Sequence, residues 1–293
     1  MKVQNKGDKG NPWHSDKNGK FTRPQDNIKD VDNDQTLSSL KQFVKEDLSS
    51  LDKNISAYVK TGFNKLIDNY PADIGEVKYE LSVGEGFYNV PYTTLALNRI
   101  DTYQPDPNNM GKFLGPRFLL SLGTQFYYDA EYSAKELLTK NNSPLGRGYR
   151  KISSQEAIEA ILSHEYAHSL SYMYALKKQP ELLQFIKKWQ SESMTYEEME
   201  NNEYVKQFEA FVSSNYMLEK EIVSELSQEY NIPTDMFWQQ VRQEYGKYAA
   251  TSYLEFFAEA FMCMNHLQNN EKTDFMRSFE RIFSKKYKDT FGG

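Results

Sequence analysis

Cysteine is almost missing from this chain: Cys263 is the only one among 293 residues. A single thiol closes no internal disulfide and builds no multi-cysteine metal cluster, so the fold must rest on its core. Its neighbours Phe261, Met262 and Met264 mark Cys263 as a buried, inert side chain rather than a nucleophile. Long apolar runs are also missing. No stretch approaches the ~18 apolar residues that cross a bilayer, and the opening Met1-Lys2-Val3-Gln4-Asn5-Lys6 contains no apolar run of the kind that directs secretion. The expectation is a protein without membrane contact that stays where it is made. An excess of positive charge is lacking too: 35 Lys and Arg against 41 Asp and Glu give a net charge of -6. A nucleic-acid partner, which calls for a clustered basic surface, is therefore not expected.

Aromatic side chains, by contrast, are plentiful. Twenty-one Tyr and 18 Phe, with aromatics at 14% of the chain, supply the apolar area for a substantial core in one large domain or two modest ones. Residues 1–35 are rich in Lys, Asn, Asp and Gly with scattered apolar positions, and read as a disordered tail. From Leu37 the pattern changes. Leu37, Leu40, Val44, Leu48, Leu51, Ile55, Val59, Leu66 and Ile67 recur at steps of three and four, which predicts an amphipathic helix over 36–70, capped by Asp34 or Thr36 and ended by Pro71. Its stripe suits packing on the chain's own core, and a coiled-coil or docking role stays open.

Between Val77 and Tyr128 the texture is that of strands, with VKYELSV, FYNVPYTTLAL and RFLLSLGTQFYY separated by Gly and Pro. From Ser153 the chain turns helical again: Ser153 with Glu156 fits a capping box, and Ile158, Ile161, Leu162 and Leu170 follow at helical positions. The remainder, about 175 to 288, is helical in pattern and broken near Asn231-Ile232-Pro233, with no internal repeat at solenoid spacing. The fold class expected is α+β, mostly helical with a small mixed sheet, preceded by a long amphipathic helix.

Within the Ser153 helix lies His164-Glu165-Tyr166-Ala167-His168, an H-E-x-x-H motif. Residues four apart on a helix rise ~6 Å and face the same way, so two imidazoles can converge on one ion. Glu165 falls beside that ion rather than on it, where it can take a proton from an activated water. With four histidines in the chain, chance assembly of the motif is rare. A peptidase zinc needs a third protein ligand. Ser171 and Tyr174 occupy the places where a metzincin has its Gly and third His, so that solution is excluded. His14 and His266 remain alternatives, but a carboxylate is the better candidate. Glu255 and Glu259 stand four apart in the apolar segment Tyr253-Leu254-Glu255-Phe256-Phe257-Ala258-Glu259-Ala260-Phe261. Buried carboxylates are costly unless paired or bound to metal, so one could ligate while the other accepts a hydrogen bond from a ligating histidine.

These two segments, His164 to His168 and Tyr248 to Phe261, resemble the gluzincin metallopeptidases, and within them the lethal factor catalytic domain of anthrax toxin with related phage- and prophage-encoded peptidases. The resemblance covers roughly residues 113–275 and implies a zincin-like domain over 71–293 that hydrolyses peptide bonds. It implies Zn2+ held by His164, His168 and Glu255, with Glu165 as general base and Glu259 supporting a ligand. A tyrosine seven residues before the third ligand assists the transition state in that family, which carries over to Tyr248, with Tyr245 as the fallback. The family's substrate strand, an edge strand upstream of the motif helix, maps to Arg117 to Tyr128. The interval between His168 and Glu255 is longer here, with a helical insertion over about 180–240, so substrate choice does not carry over. The segment Gly10 to Thr22, Gly-Asn-Pro-Trp-His-Ser-Asp-Lys-Asn-Gly-Lys-Phe-Thr, resembles a short element of phage-encoded head and packaging-region proteins. A phage or prophage origin follows as an expectation, with a location in the bacterial host cytoplasm or the virion and docking to a capsid through the tail or helix. Two other readings stand beside the peptidase: a virion-associated structural protein whose zinc site is not catalytic, and a lethal-factor-like protease toxin.

Overall fold

The computed structural model describes residues 44–46, 48–49, 51–71, 79–83, 96–101, 103–123, 134–147, 152–214 and 216–292. The segment read as a disordered tail, with His14 and the Gly10 to Thr22 element, lies outside them. The described chain is mostly helical with a small sheet, and none of its helices is long and apolar enough to cross a membrane.

Four strands form the main sheet: β1 (Val44–Glu46), β2 (Tyr79–Val83), β3 (Ala96–Asp101) and β6 (Arg117–Leu122), in the order β1-β2-β6-β3. β1 and β6 flank β2 in parallel, whereas β3 runs antiparallel to β6 with Asn98 opposite Leu120. Phe118, Leu119, Leu120 and Leu122 of β6 are fully buried, as befits a strand covered on both faces. A second antiparallel sheet joins β4 (Gln104–Pro105), β5 (Lys112–Leu114) and β7 (Met194–Thr195).

The expected helix over 36–70 is corrected. Helix α1 spans only Lys53–Asn69, with Asp52 as its cap, whose Oδ1 accepts the N–H groups of Asn54 and Ile55. Upstream, Val44–Glu46 is a strand that pairs with Tyr79 to Leu81 of β2. The three-and-four spacing through that stretch reads as helix, yet ladder bonds to β2 outweigh so weak a local preference. Pro71 does follow the end of α1.

The motif helix α2 (Ser154–Lys177) starts where expected: Ser153 Oγ accepts the N–H of Glu156. It is buried along nearly its whole circumference, from Ala157 to Leu176, which makes it the central helix of the core. On one flank lies α1, whose Gly62 approaches so closely that a Cβ there would stand 2.9 Å from Glu159 Cγ. After α2 the chain forms α3 (Pro180–Ser191), α4 (Tyr196–Glu200), α5 (Glu203–Ser214), α6 (Met217–Glu229) and α7 (Thr234–Tyr245). The break at Asn231-Ile232-Pro233 falls between α6 and α7, where Asn231 takes a left-handed φ of 49°. Helices α8 (Tyr253–His266) and α9 (Asp274–Phe291) complete the fold, and Phe257, Phe261, Phe279 and Phe283 interlock between them. α8 crosses α2 over a long contact. That crossing brings the two segments singled out in the sequence together.

Candidate metal centre

Two helices and one short link build the site. α2 carries His164 and His168 one turn apart, with their rings edge to face at 5.1 Å between centroids. α8 presents Glu255 from its first turn, where Ser252 Oγ accepts the Glu255 N–H at 3.1 Å and the positive helix end favours a carboxylate. Glu255 Oε2 lies 3.1 Å from Nε2 of His164 and 3.9 Å from Nε2 of His168. One ligand atom from each of the three residues lies within 4.8 Å of the others. Among the described residues this is the group of that kind, and it could hold a metal ion.

The donor atoms fit an ion better than they fit each other. Ligands ~2.0 Å from a tetrahedral ion stand ~3.3 Å apart, between the two separations measured here. Glu255 Oε2 is buried 3.1 Å from Nε2 of His164, in an approach that falls outside the direction of a regular hydrogen bond among the described residues. Atoms that converge on a common point behave so. One turn further along α8, Glu259 Oε1 lies 3.4 Å from Nδ1 of His164, on the side of the ring away from Glu255. That is the place of a carboxylate that orients a ligand.

The electrostatics are those of a buried, coupled cluster. Burial disfavours charge on His164, but the carboxylates of Glu255 and Glu259 outweigh it and hold this imidazole well above its ordinary range. Burial and the His164 charge push His168 down to about 4. Burial opposes ionisation of Glu255 as well, yet His164 and His168 bring it down to about 2. Glu165, facing the same space, is raised to about 7 chiefly by burial, with a backbone hydrogen bond from Asn98 working the other way. A carboxyl poised near neutrality suits proton transfer.

Tyr248 and Tyr245 part company. Tyr248 stacks on the His164 ring at 6.0 Å and 28°, and is 37% exposed. Burial and then the Glu255 carboxylate raise its phenol, so the hydroxyl keeps its proton and can donate. Tyr245 is 1% exposed, packed against Phe256, Phe275 and Phe279 in the core. His266 is also away from the cluster, its Nε2 2.8 Å from Ser163 Oγ. Cys263 is buried, as expected, and burial raises its thiol well above the ordinary value.

The strand expected at the sheet edge is corrected. β6, the strand described within Arg117 to Tyr128, is paired on both sides, by β2 and β3, while residues 124–128 lie outside the described residues. Its unbroken apolar run Phe118-Leu119-Leu120 marks an interior strand. β3 lies at that end of the four-stranded order, beside α2, where Asn98 Nδ2 donates to Ser169 Oγ.

A cavity of about 180 Å³ opens beside the cluster, where His164, Glu165, Tyr248 and Glu259 meet Ala96, Leu137, Leu138, Asn141, Ile161 and Met262. Ala96, Leu137, Leu138 and Asn141 were not singled out in the sequence. Leu137 and Leu138 belong to a helical stretch at 134–140 that no motif marks. The Ser252-x-x-Glu255 spacing does carry a signal, that of a capped helix start at Glu255.

Comparison of the chain with protein-family models, with curated proteins and with solved structures finds no match in any of the three.

Proposed function

We propose that this chain is a zinc-dependent metallopeptidase of gluzincin type on a zincin-like fold, hydrolysing peptide bonds in a protein or peptide substrate. The observation that carries the reading is the convergence of ligand atoms of His164, His168 and Glu255 from two helices, with Glu165 and Tyr248 lining a cavity that His164 also lines. A zinc ion held by these three residues supplies Lewis acidity, which makes water a better nucleophile near neutral pH and polarises a carbonyl.

The rest of the chemistry belongs to the chain's own side chains. Glu165, buried beside His164 and lining the cavity, removes a proton from the attacking water and delivers it to the departing amine. Tyr248 keeps its phenolic proton and donates to the carbonyl oxygen as negative charge grows there, an interaction made fully only in the transition state. Glu259 holds the His164 ring through Nδ1 and so fixes the direction of Nε2. A purely structural metal site has no use for a base at Glu165.

The test separates metal binding from catalysis. Purified protein is expected to carry one zinc per chain and to cleave members of a peptide library, read by mass spectrometry. Glu165→Gln should keep the zinc while cleavage falls by about 10²–10⁴-fold, the usual worth of a general base. A variant that cleaves as fast as the parent would remove the peptidase reading.

A further inference from the structure

Tyr248 sits on the link between α7 and α8, which contains no regular element beyond one 3-10 turn, Ala249–Thr251. Such a link does not hold a ring over His164 unaided. From inside, Thr251 gives both its N–H and its hydroxyl to the Tyr248 carbonyl, at 3.0 and 2.7 Å. From outside, the link is pressed against the loop that follows the 134–140 helical stretch. Gly246 adopts φ +107° there, and a Cβ on it would stand 2.6 Å from the Asn141 carbonyl oxygen and 2.7 Å from that of Asn142. Only glycine fits both the space and the φ. Asn142 itself turns through φ 54° to present that carbonyl.

One side chain joins the two surfaces. Arg147 Nε donates to the Asn142 carbonyl at 2.7 Å, and its Nη1 donates to the Gln243 carbonyl at 2.9 Å. Gln243 lies in the last turn of α7, where carbonyls lack partners within the helix. The guanidinium fork thus fastens the loop to the helix end from which Gly246 and Tyr248 depart. The same loop places Asn141 on the cavity wall beside Tyr248.

We propose that Arg147 is a positioning residue for Tyr248: it touches neither the metal ligands nor the cavity, and it acts by clamping loop 141–147 to the end of α7 so that the link carries the Tyr248 hydroxyl to the reacting carbonyl. The proposal rests on the peptidase reading, and Gly246 is its passive half.

The test uses the full zinc-loaded chain, with a peptide it cleaves, in four forms: parent, Arg147→Ala, Tyr248→Phe and the double variant. Small misplacements of a catalytic group are costly, so Arg147→Ala should lower kcat by about tenfold, with KM within about twofold and zinc content unchanged. Amide hydrogen exchange should quicken over 246–252 and stay as it was in α2. In the Tyr248→Phe background the same substitution should change kcat by less than about twofold, because the group it positions is gone. Arg147→Lys, which reaches one carbonyl at a time, should give a smaller loss with the same dependence on Tyr248, and it serves if the alanine variant folds poorly. An equal loss of kcat with and without the Tyr248 hydroxyl, or unchanged exchange over 246–252, would overturn the proposal. A parent protein that binds zinc but cleaves nothing would instead remove the peptidase reading, and the exchange measurement would still judge the clamp.

Discussion

Glu255 and Glu259 stand one turn apart on α8 and both approach His164, but from opposite edges of its ring: one at Nε2, the other at Nδ1. The nitrogen each carboxylate meets decides its role. Glu255 Oε2 lies near His168 as well, so under the proposed function Glu255→Ala removes a ligand. Glu259→Ala removes only the hold on His164, which costs about 10–100-fold in metal affinity in comparable sites. Zinc competition against a chelator of known affinity should therefore rank Glu255→Ala as the far weaker binder, and the opposite ranking would mean that the ligand is wrongly assigned. At this scale the sequence carried much of the centre. The H-E-x-x-H spacing and the carboxylate pair are local patterns on single helices, and local patterns survive without a structure. Leu137, Leu138, Asn141 and Arg147 were not legible, because their roles depend on which distant segment the 134–147 stretch packs against.

Among elements, the contact between α6 and α2 contains a carboxyl that the proposed chemistry does not use. Glu219 is fully buried, Ser171 Oγ donates to its Oε1, and its Oε2 has no hydrogen-bond partner among the described residues. Burial raises it to about 7 from an ordinary 4.5. The folded chain therefore holds this proton more tightly than the unfolded chain does. Its contribution to stability is complete below pH 4.5 and is lost as pH rises through about 7. Glu219→Gln, neutral at every pH and of the same shape, escapes that loss. The melting temperature of the variant should match the parent near pH 4.5 and exceed it increasingly toward pH 8, with ~3 kcal/mol as an upper bound from a shift of this size. A gap that does not change with pH would mean that Glu219 does not titrate as described. Legibility at the element scale follows contact distance. Ser153 as a cap and the break at Asn231-Ile232-Pro233 were readable, since both are set by neighbouring residues. The spacing through β1 reads as helix, and the two-residue strands β4 and β7 carry no local signal; Met194 pairs with Phe113, a partner no local pattern announces.

For the whole molecule, the ligands come from helices far apart in sequence, His164 and His168 on α2 and Glu255 on α8, so the unfolded chain presents no assembled site. An ion that binds only the folded form stabilises it by mass action, by about 2.7 kcal/mol at a hundredfold excess over Kd. For a chain of this size that corresponds to a rise of roughly 4–5 °C in Tm. Stripping the metal with a chelator should lower Tm by that order, zinc should restore it, and Glu255→Ala should respond to neither. The effect should also depend on pH with a definite sign. Without metal, His164 is held well above its ordinary range by Glu255 and Glu259, so near neutrality it carries a proton that the ion must displace. Raising the pH removes that competitor, and the gain in Tm on adding zinc should grow from pH 6 to pH 8, with proton release seen in calorimetry across buffers of different ionisation enthalpy. A Tm indifferent to both chelator and zinc would mean that α2 and α8 are joined by core packing alone, and that His164, His168 and Glu255 hold no ion.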